Sequence, residues 1–206
     1  MSRSTRSLAP RRRGLLVAAV AVAAAMLFTG CATDPLADQY RQGSDKGFIS
    51  GDGTYTEILP ADRGEPIEFT GSTETGDTVS SADFLGQVLV VNFWYAECAP
   101  CRAEAPDLES AYQATKDDGA SFLGVNVRNQ AETAISFAKT HGITFPSVID
   151  TDSALQLAFT SDVPPNAVPT TLVLDKEGRV ASRILGQLRS ASILETLVRQ
   201  TLAEGN

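Results

Sequence analysis

The chain alternates between short β-prone runs and stripes at helical spacing. The strongest run is Val88-Leu89-Val90-Val91-Asn92-Phe93-Trp94, apolar at nearly every position. A continuous run of that kind predicts a strand buried on both faces. Before it, residues 67–70 alternate, residues 73–77 read as a turn, and Thr78-Val79 opens a return strand, so a β-hairpin is predicted. Residues 80–86 read as one capped helical turn. After the run comes a helix over about 99–116, with Leu108, Ala111 and Tyr112 on one face. A strand at 121–127 and a helix near 131–140 follow, the helix striped by Ala131, Ala134, Ile135 and Ala138. Residues 146–149 read as a short strand and 154–159 as a short helix. Residues 170–174 and 180–185 flank Asp175-Lys176-Glu177-Gly178, a hairpin turn. The last helix, about 191–202, buries Ile193, Leu194, Leu197 and Val198. The order ββ, then βαβαβ, then a hairpin and a closing helix predicts an α/β domain with a parallel core and antiparallel additions.

One apolar run does not belong to that domain. Residues 14–28 are almost wholly Ala, Val and Leu. They follow Arg3, Arg6, Arg11, Arg12 and Arg13, and residues 1–30 contain no Asp or Glu. A basic stretch, an apolar stretch and then small residues is the pattern of a secretory signal. A run of that length spans about 22 Å as a helix, short of a ~30 Å hydrocarbon core, so a signal is favoured over a permanent anchor. The run ends in Leu27-Phe28-Thr29-Gly30-Cys31, which resembles a bacterial lipoprotein box, with Phe28 standing where Leu is usual. That resemblance implies lipidation of Cys31, which becomes the new N-terminus. Two or three acyl chains anchor firmly, whereas one is marginal. Arg12-Arg13-Gly14-Leu15-Leu16 also loosely matches a twin-arginine signal, so the export route stays open.

The predicted organisation is a signal over 1–30, a flexible tether over 31–64, and a domain over 65–206. The tether carries Gly43, Gly47, Gly51, Gly53 and Gly64 and shows no period of 2 or 3.6. The alternative there is a short irregular strand that uses residues 55–58. Of the 206 residues, 43% are hydrophobic, which suits one globular domain with appendages. The formal charge of −8 becomes −13 once the five arginines of residues 1–30 are removed. Such an acidic body argues against a nucleic-acid partner, because phosphate binding needs a basic surface. It would also be repelled by an anionic membrane, so the lipid must do the tethering.

Three cysteines remain to be explained. Cys98 and Cys101 lie three positions apart where the 88–94 strand gives way to a helix. A thiol that caps a helix faces free backbone N–H groups and the positive end of the dipole, both of which favour a thiolate. Cys98 is therefore the expected nucleophile. Cys101, one turn in and more buried, is the expected resolving thiol. Pro100 occupies a first-turn position where an N–H is dispensable. Zinc would need two more ligands, and only Cys31 and His141 are at hand. Haem attachment would need His where Arg102 stands. A purely structural disulfide over so short a loop would stabilise only modestly. The competing functions are a peroxiredoxin-type peroxidase and a copper-binding lipoprotein. Against copper, both methionines, Met1 and Met26, fall in the signal.

The strings Val90-Val91-Asn92-Phe93-Trp94, Cys101-Arg102-Ala103-Glu104-Ala105-Pro106, Gly142-Ile143-Thr144-Phe145-Pro146 and Val168-Pro169-Thr170-Thr171 resemble the membrane-tethered thioredoxin-like oxidoreductases of the TlpA/ResA type. The resemblance covers about residues 65–200. It implies a thioredoxin-like fold, a central mixed sheet flanked by helices, with an N-terminal β-hairpin and a central helical insertion. It implies reduction of disulfides in exported proteins, including apocytochrome c, by a monomer facing outside the cytoplasm and recharged by a membrane electron donor. It implies no metal and no cofactor beyond the Cys98–Cys101 pair. By the same resemblance Pro169 is a cis-proline opposite the thiols, and Val168 pairs with substrate backbone. Trp94 and Pro100, beside the thiols, are candidate substrate contacts, with an ordinary strand-end aromatic as the alternative for Trp94. Glu104 exchanges a proton with Cys101, or else is a solvated helix residue. Asn92 stands where ordinary thioredoxins carry a buried Asp. Glu97 is expected to be exposed and slightly opposed to thiolate formation. Pro106 should kink the helix. His141 is expected to be structural.

Overall fold

A computed structural model describes residues 55–164 and 167–204. The signal, Cys31 and most of the expected tether lie outside the described residues. Among the described residues eight strands form, β1 (Tyr55–Glu57), β2 (Thr70–Ser72), β3 (Thr78–Ser80), β4 (Val88–Trp94), β5 (Ala120–Asn126), β6 (Ser147–Ile149), β7 (Thr170–Leu174) and β8 (Val180–Leu185). The helices are α1 (Ala99–Thr115), α2 (Ala131–His141), α3 (Ala154–Ala158) and α4 (Ala191–Ala203). Six strands make one sheet in the order β1-β8-β7-β4-β5-β6, and β2 pairs with β3 as a separate hairpin. The β4–β5 and β5–β6 pairs are parallel, and β7 runs antiparallel to β4. Among the described residues no helix is long and apolar enough to cross a membrane.

All seven residues of β4 are buried. Alternation along the strand divides them between two cores. Leu89, Val91 and Phe93 face Leu123, Val125, Leu172, Phe159 and the hairpin segment. Val88 and Val90 face Leu108 and Ala111 of α1 and Leu194, Leu197 and Val198 of α4. With both faces covered, the strand needs apolar residues throughout, which is why it reads as a run rather than an alternation. Asn92 falls on the helix side, so its amide must find partners inside the protein.

Three expectations change. The hairpin's first strand is β2, not residues 67–70. Ile67 and Phe69 are buried, but the Ile67 N–H donates to the Gly178 carbonyl, so their alternation reflects packing under the β7–β8 turn. On α2 only Ala134 of the expected stripe is buried, and Ile135 is exposed. Phe137 takes the inward contact instead, stacking on Trp94 at 4.3 Å between ring centroids. The sheet also begins inside the span read as tether. There β1 pairs antiparallel with β8, and the Ile58 N–H donates to the Ala181 carbonyl. Arg63 is almost fully enclosed, its guanidinium on Asp175 at 2.9 Å and on Glu204 at 2.6 and 2.7 Å. Contacts with residues more than a hundred positions away hold this segment, so no local period announces it.

That clasp joins the start of the domain to the end of α4. Without Arg63, Asp175 still holds Arg179 at 2.9 Å and the Glu177 and Arg179 N–H groups, so its charge is not left alone. Arg63→Ala is therefore expected to lower stability by about 2 kcal/mol, the loss of charge-assisted hydrogen bonds. Glu204→Ala, at a carboxylate side chain 36% exposed, should lower it by about 1 kcal/mol or less. Urea midpoints followed by far-ultraviolet circular dichroism check the ranking.

Candidate active site

The chain leaves β4 at Trp94, turns through residues 95–98, and enters α1 at Ala99. Cys98 is the N-cap of α1, in extended conformation, and its sulfur accepts the Cys101 N–H at 3.2 Å. The Arg102 N–H donates to the Cys98 carbonyl and closes the first turn. Pro100 sits in that turn, where no N–H is required. Cys98 and Cys101 are joined as a disulfide with Cα atoms 5.2 Å apart. Pro106 lies inside α1, which runs on to Thr115.

Cys101 was expected to be the deeper thiol, but the two are equally covered, 3% and 2% exposed. The reason is the cluster packed about them, Trp94 and Ala134 with Phe137, Ile149 and Val168. Ala99 and Pro100 remain exposed at the rim. The Val168–Pro169 bond is cis, and the register of β7 against β4 pairs Thr170 with Phe93. Antiparallel pairing therefore brings Val168 and Pro169 to the end of β4 that carries the thiols. Trp94 lies over Gly124, where a Cβ would stand 2.8 Å from the indole nitrogen. The indole N–H donates to the Ser147 hydroxyl at 3.3 Å. His141 stacks on Phe137, one ring further from the thiols.

Glu104 is not a solvated helix residue. It is fully buried. Asn92 Nδ2 donates to its Oε1 at 2.9 Å, and the Leu188 N–H donates to its Oε2 at 2.7 Å. The same Asn92 amide reaches Thr171 Oγ1 at 3.0 Å. Burial pushes the carboxyl up to about 7, against the opposing pull of the Leu188 and Asn92 donors, and Asp107 adds a small upward push. Asn92 and Cys101 line one small cavity of about 20 Å³ together with Trp94 and Ser147. Glu104, three residues after Cys101 on α1, thus meets the resolving thiol's surroundings through Asn92.

Sequence reasoning missed the loop between β5 and α2. The parallel register pairs Trp94 with Asn126, so the residues after each strand meet beside the thiols. Asn129 Oδ1 accepts the Ala96 N–H at 2.7 Å, and Arg128 places its guanidinium 3.9 Å from the Tyr95 ring centre. The available signal was a pair of asparagines, Asn126 and Asn129, at a strand exit, where Asn side chains commonly brace turns.

The Glu104 carboxyl makes the fold pH-dependent. Its folded-state value of about 7 lies above its ordinary 4.5. Stability from this group is therefore fully present below pH 4.5 and is lost as pH rises through 7, by up to about 3 kcal/mol. Urea midpoints of the oxidised protein should fall over that window relative to Glu104→Gln, whose side chain does not titrate. A difference independent of pH would remove the assignment.

Residues 64–183 match the AhpC/TSA family. The thiol-disulfide oxidoreductase ResA of Bacillus subtilis is 32% identical over 118 residues, which is 57% of this chain and 64% of that relative. The chain thus spans just under two thirds of its length. A DsbF homologue from Corynebacterium diphtheriae superposes with a TM-score of 0.64 at 34% identity, over 75% of this chain and 99% of that one. A secreted thiol-disulfide isomerase from Corynebacterium glutamicum superposes with a TM-score of 0.62 at 32% identity, over 74% of this chain and 97% of that one. With a disulfide at the head of α1 and a cis-proline brought to the same end of a mixed sheet, the chain belongs to the AhpC/TSA family and has a thioredoxin-like fold, similar to that of the thiol–disulfide oxidoreductases above.

Proposed function

We propose that this protein is a thiol–disulfide oxidoreductase that reduces disulfides of exported proteins from a membrane tether on the outer side of the cytoplasmic membrane. The observation that carries the reading is the Cys98–Cys101 disulfide at the N-terminus of α1, with Val168 packed against it. In the reduced enzyme the Cys98 thiolate attacks one sulfur of a substrate disulfide. A mixed disulfide forms, and the other substrate sulfur leaves as a thiolate. Cys101 then gives up its proton and attacks the Cys98 sulfur, which releases the second substrate thiolate and re-forms Cys98–Cys101. The substrate gains two electrons and the enzyme pair is oxidised. A membrane electron donor that exchanges thiols returns the pair to the dithiol.

Each neighbouring group has a part. The exposed N–H groups and dipole of α1 stabilise the Cys98 thiolate. Glu104, one helical turn after Cys101 and pushed up to about 7 by burial, takes the Cys101 proton, while the Asn92 amide orients its carboxyl and carries no proton itself. Val168, Pro169, Trp94 and the Ala99-Pro100 rim form the surface against which an extended substrate segment lies. A buried carboxylate also disfavours a thiolate beside it, and a less stable reduced state makes a stronger reductant. This supports the reductive direction; apocytochrome c is proposed as a substrate class on the family resemblance alone.

The arginine-led apolar run and Cys31 support export and lipid anchoring, and the secreted solved neighbour is consistent with that side of the membrane. The domain is proposed to act as a monomer.

Cys101→Ser removes the resolving thiol and should trap exported thiol proteins as mixed disulfides on Cys98, visible as thiol-sensitive bands on non-reducing gels. The reading fails if that variant traps nothing while the reduced wild type turns over peroxide. The Cys98/Cys101 reduction potential should lie near about −270 mV or lower, and a value near about −120 mV would mark an oxidant instead.

A further inference from the structure

Residues 95–97, which lead into the nucleophile, are bound to a loop on a different strand. Asn129 is the hub of that contact. Its Oδ1 accepts the Ala96 N–H at 2.7 Å and Asn126 Nδ2 at 3.2 Å. Its Nδ2 donates to both oxygens of Glu97, at 2.9 and 3.2 Å. The Asn129 N–H in turn donates to Asn126 Oδ1 at 2.7 Å, and Asn126 is completely buried. The Val127 N–H donates to the Trp94 carbonyl, so the loop is pinned at its base as well.

Glu97 is exposed, and water alone would solvate its carboxylate. Hydrogen bonds made in water's presence contribute little net energy. Their consequence is positional, because they decide where a negative charge stands one residue before Cys98. The Asn129 donors also hold the Glu97 carboxyl below the usual carboxylate range, with a smaller contribution from Arg128. The apolar side chains packed about the disulfide carry no charge. The other ionisable groups at this end are Tyr95 and Arg128, stacked on each other, with Arg102 exposed on α1 and Glu104 buried in it.

We propose that Asn129 is a positioning residue for the redox pair, one that binds the Glu97 carboxylate to the β5–α2 loop and so restrains and partly offsets its repulsion of a Cys98 thiolate. The inference rests on the reading that Cys98 is the attacking thiol. Asn129→Ala frees the carboxylate and removes its two donors. A like charge left closer and less compensated raises a thiol's pKa.

The test is a cycle of four full-length reduced proteins, wild type, Asn129→Ala, Glu97→Gln and the double variant. Iodoacetamide alkylation is followed against pH, with the modified cysteine identified by peptide mapping. Asn129→Ala should raise the Cys98 pKa by about half a unit, roughly threefold slower alkylation at pH 6. In the Glu97→Gln background the same substitution should change nothing. An unchanged Asn129→Ala profile, or an equal shift in both backgrounds, overturns the inference. Alkylation of Cys101 before Cys98 overturns the underlying reading instead. Should Asn129→Ala not fold, Asn129→Ser goes through the same cycle, because it keeps an oxygen for the Ala96 N–H and lacks the amide donors.

Discussion

The constraint on which the rest depends is the burial of β4 on both faces between β5 and β7. A strand enclosed in that way can offer chemistry only where it ends. Two pairings then decide what meets it there. The antiparallel register of β7, with Thr170 opposite Phe93, delivers Val168 and Pro169. The parallel register of β5, with Asn126 opposite Trp94, delivers Asn129 and Arg128. The head of α1 supplies the cysteines. Three segments distant in sequence converge because hydrogen-bond registers leave them no other place.

The same burial creates the electrostatic problem of the site. Asn92 points inward from the middle of the strand, and an amide there needs partners. It finds Glu104 and Thr171. The Glu104 carboxyl is held by the neutral donors Asn92 and the Leu188 N–H, with no cation, so desolvation wins and it is pushed up to about 7. A charged partner would have pulled the carboxyl down and left it unable to exchange a proton near neutral pH. On the rim the balance is different. Glu97 stays charged in water, and Asn129 both lowers its carboxyl and decides where that charge stands.

Much of this was legible in the sequence. The 88–94 run, the Cys98–Cys101 spacing, the α1 and α4 stripes and the 175–178 turn each express a local rule, so each appears in place. Glu104 was visible as a candidate but not its burial, because helical spacing alone does not reveal that Asn92 faces it. The edge strand at 55–57 was visible only as the alternative to a tether, and the Arg63 ion pairs were not visible, because both are satisfied by residues at the far end of the chain, in a stretch that looks polar and aperiodic. The α2 stripe was misread for a related reason, since Phe137 is drawn in by Trp94 and not by its own helix's pattern.

By itself the sequence determined the central elements from residue 88 onward, the paired thiols at a strand–helix junction, and the family resemblance, since these follow from periodicity, spacing and motif within short windows. The tertiary structure alone decided which polar groups would share the site. Asn92 with Glu104, Asn129 with Glu97, and Arg63 with Asp175 and Glu204 are partnerships set by strand register and by the cost of leaving a buried polar group unpaired. Neither register nor the burial of a lone polar residue can be read from any one segment alone.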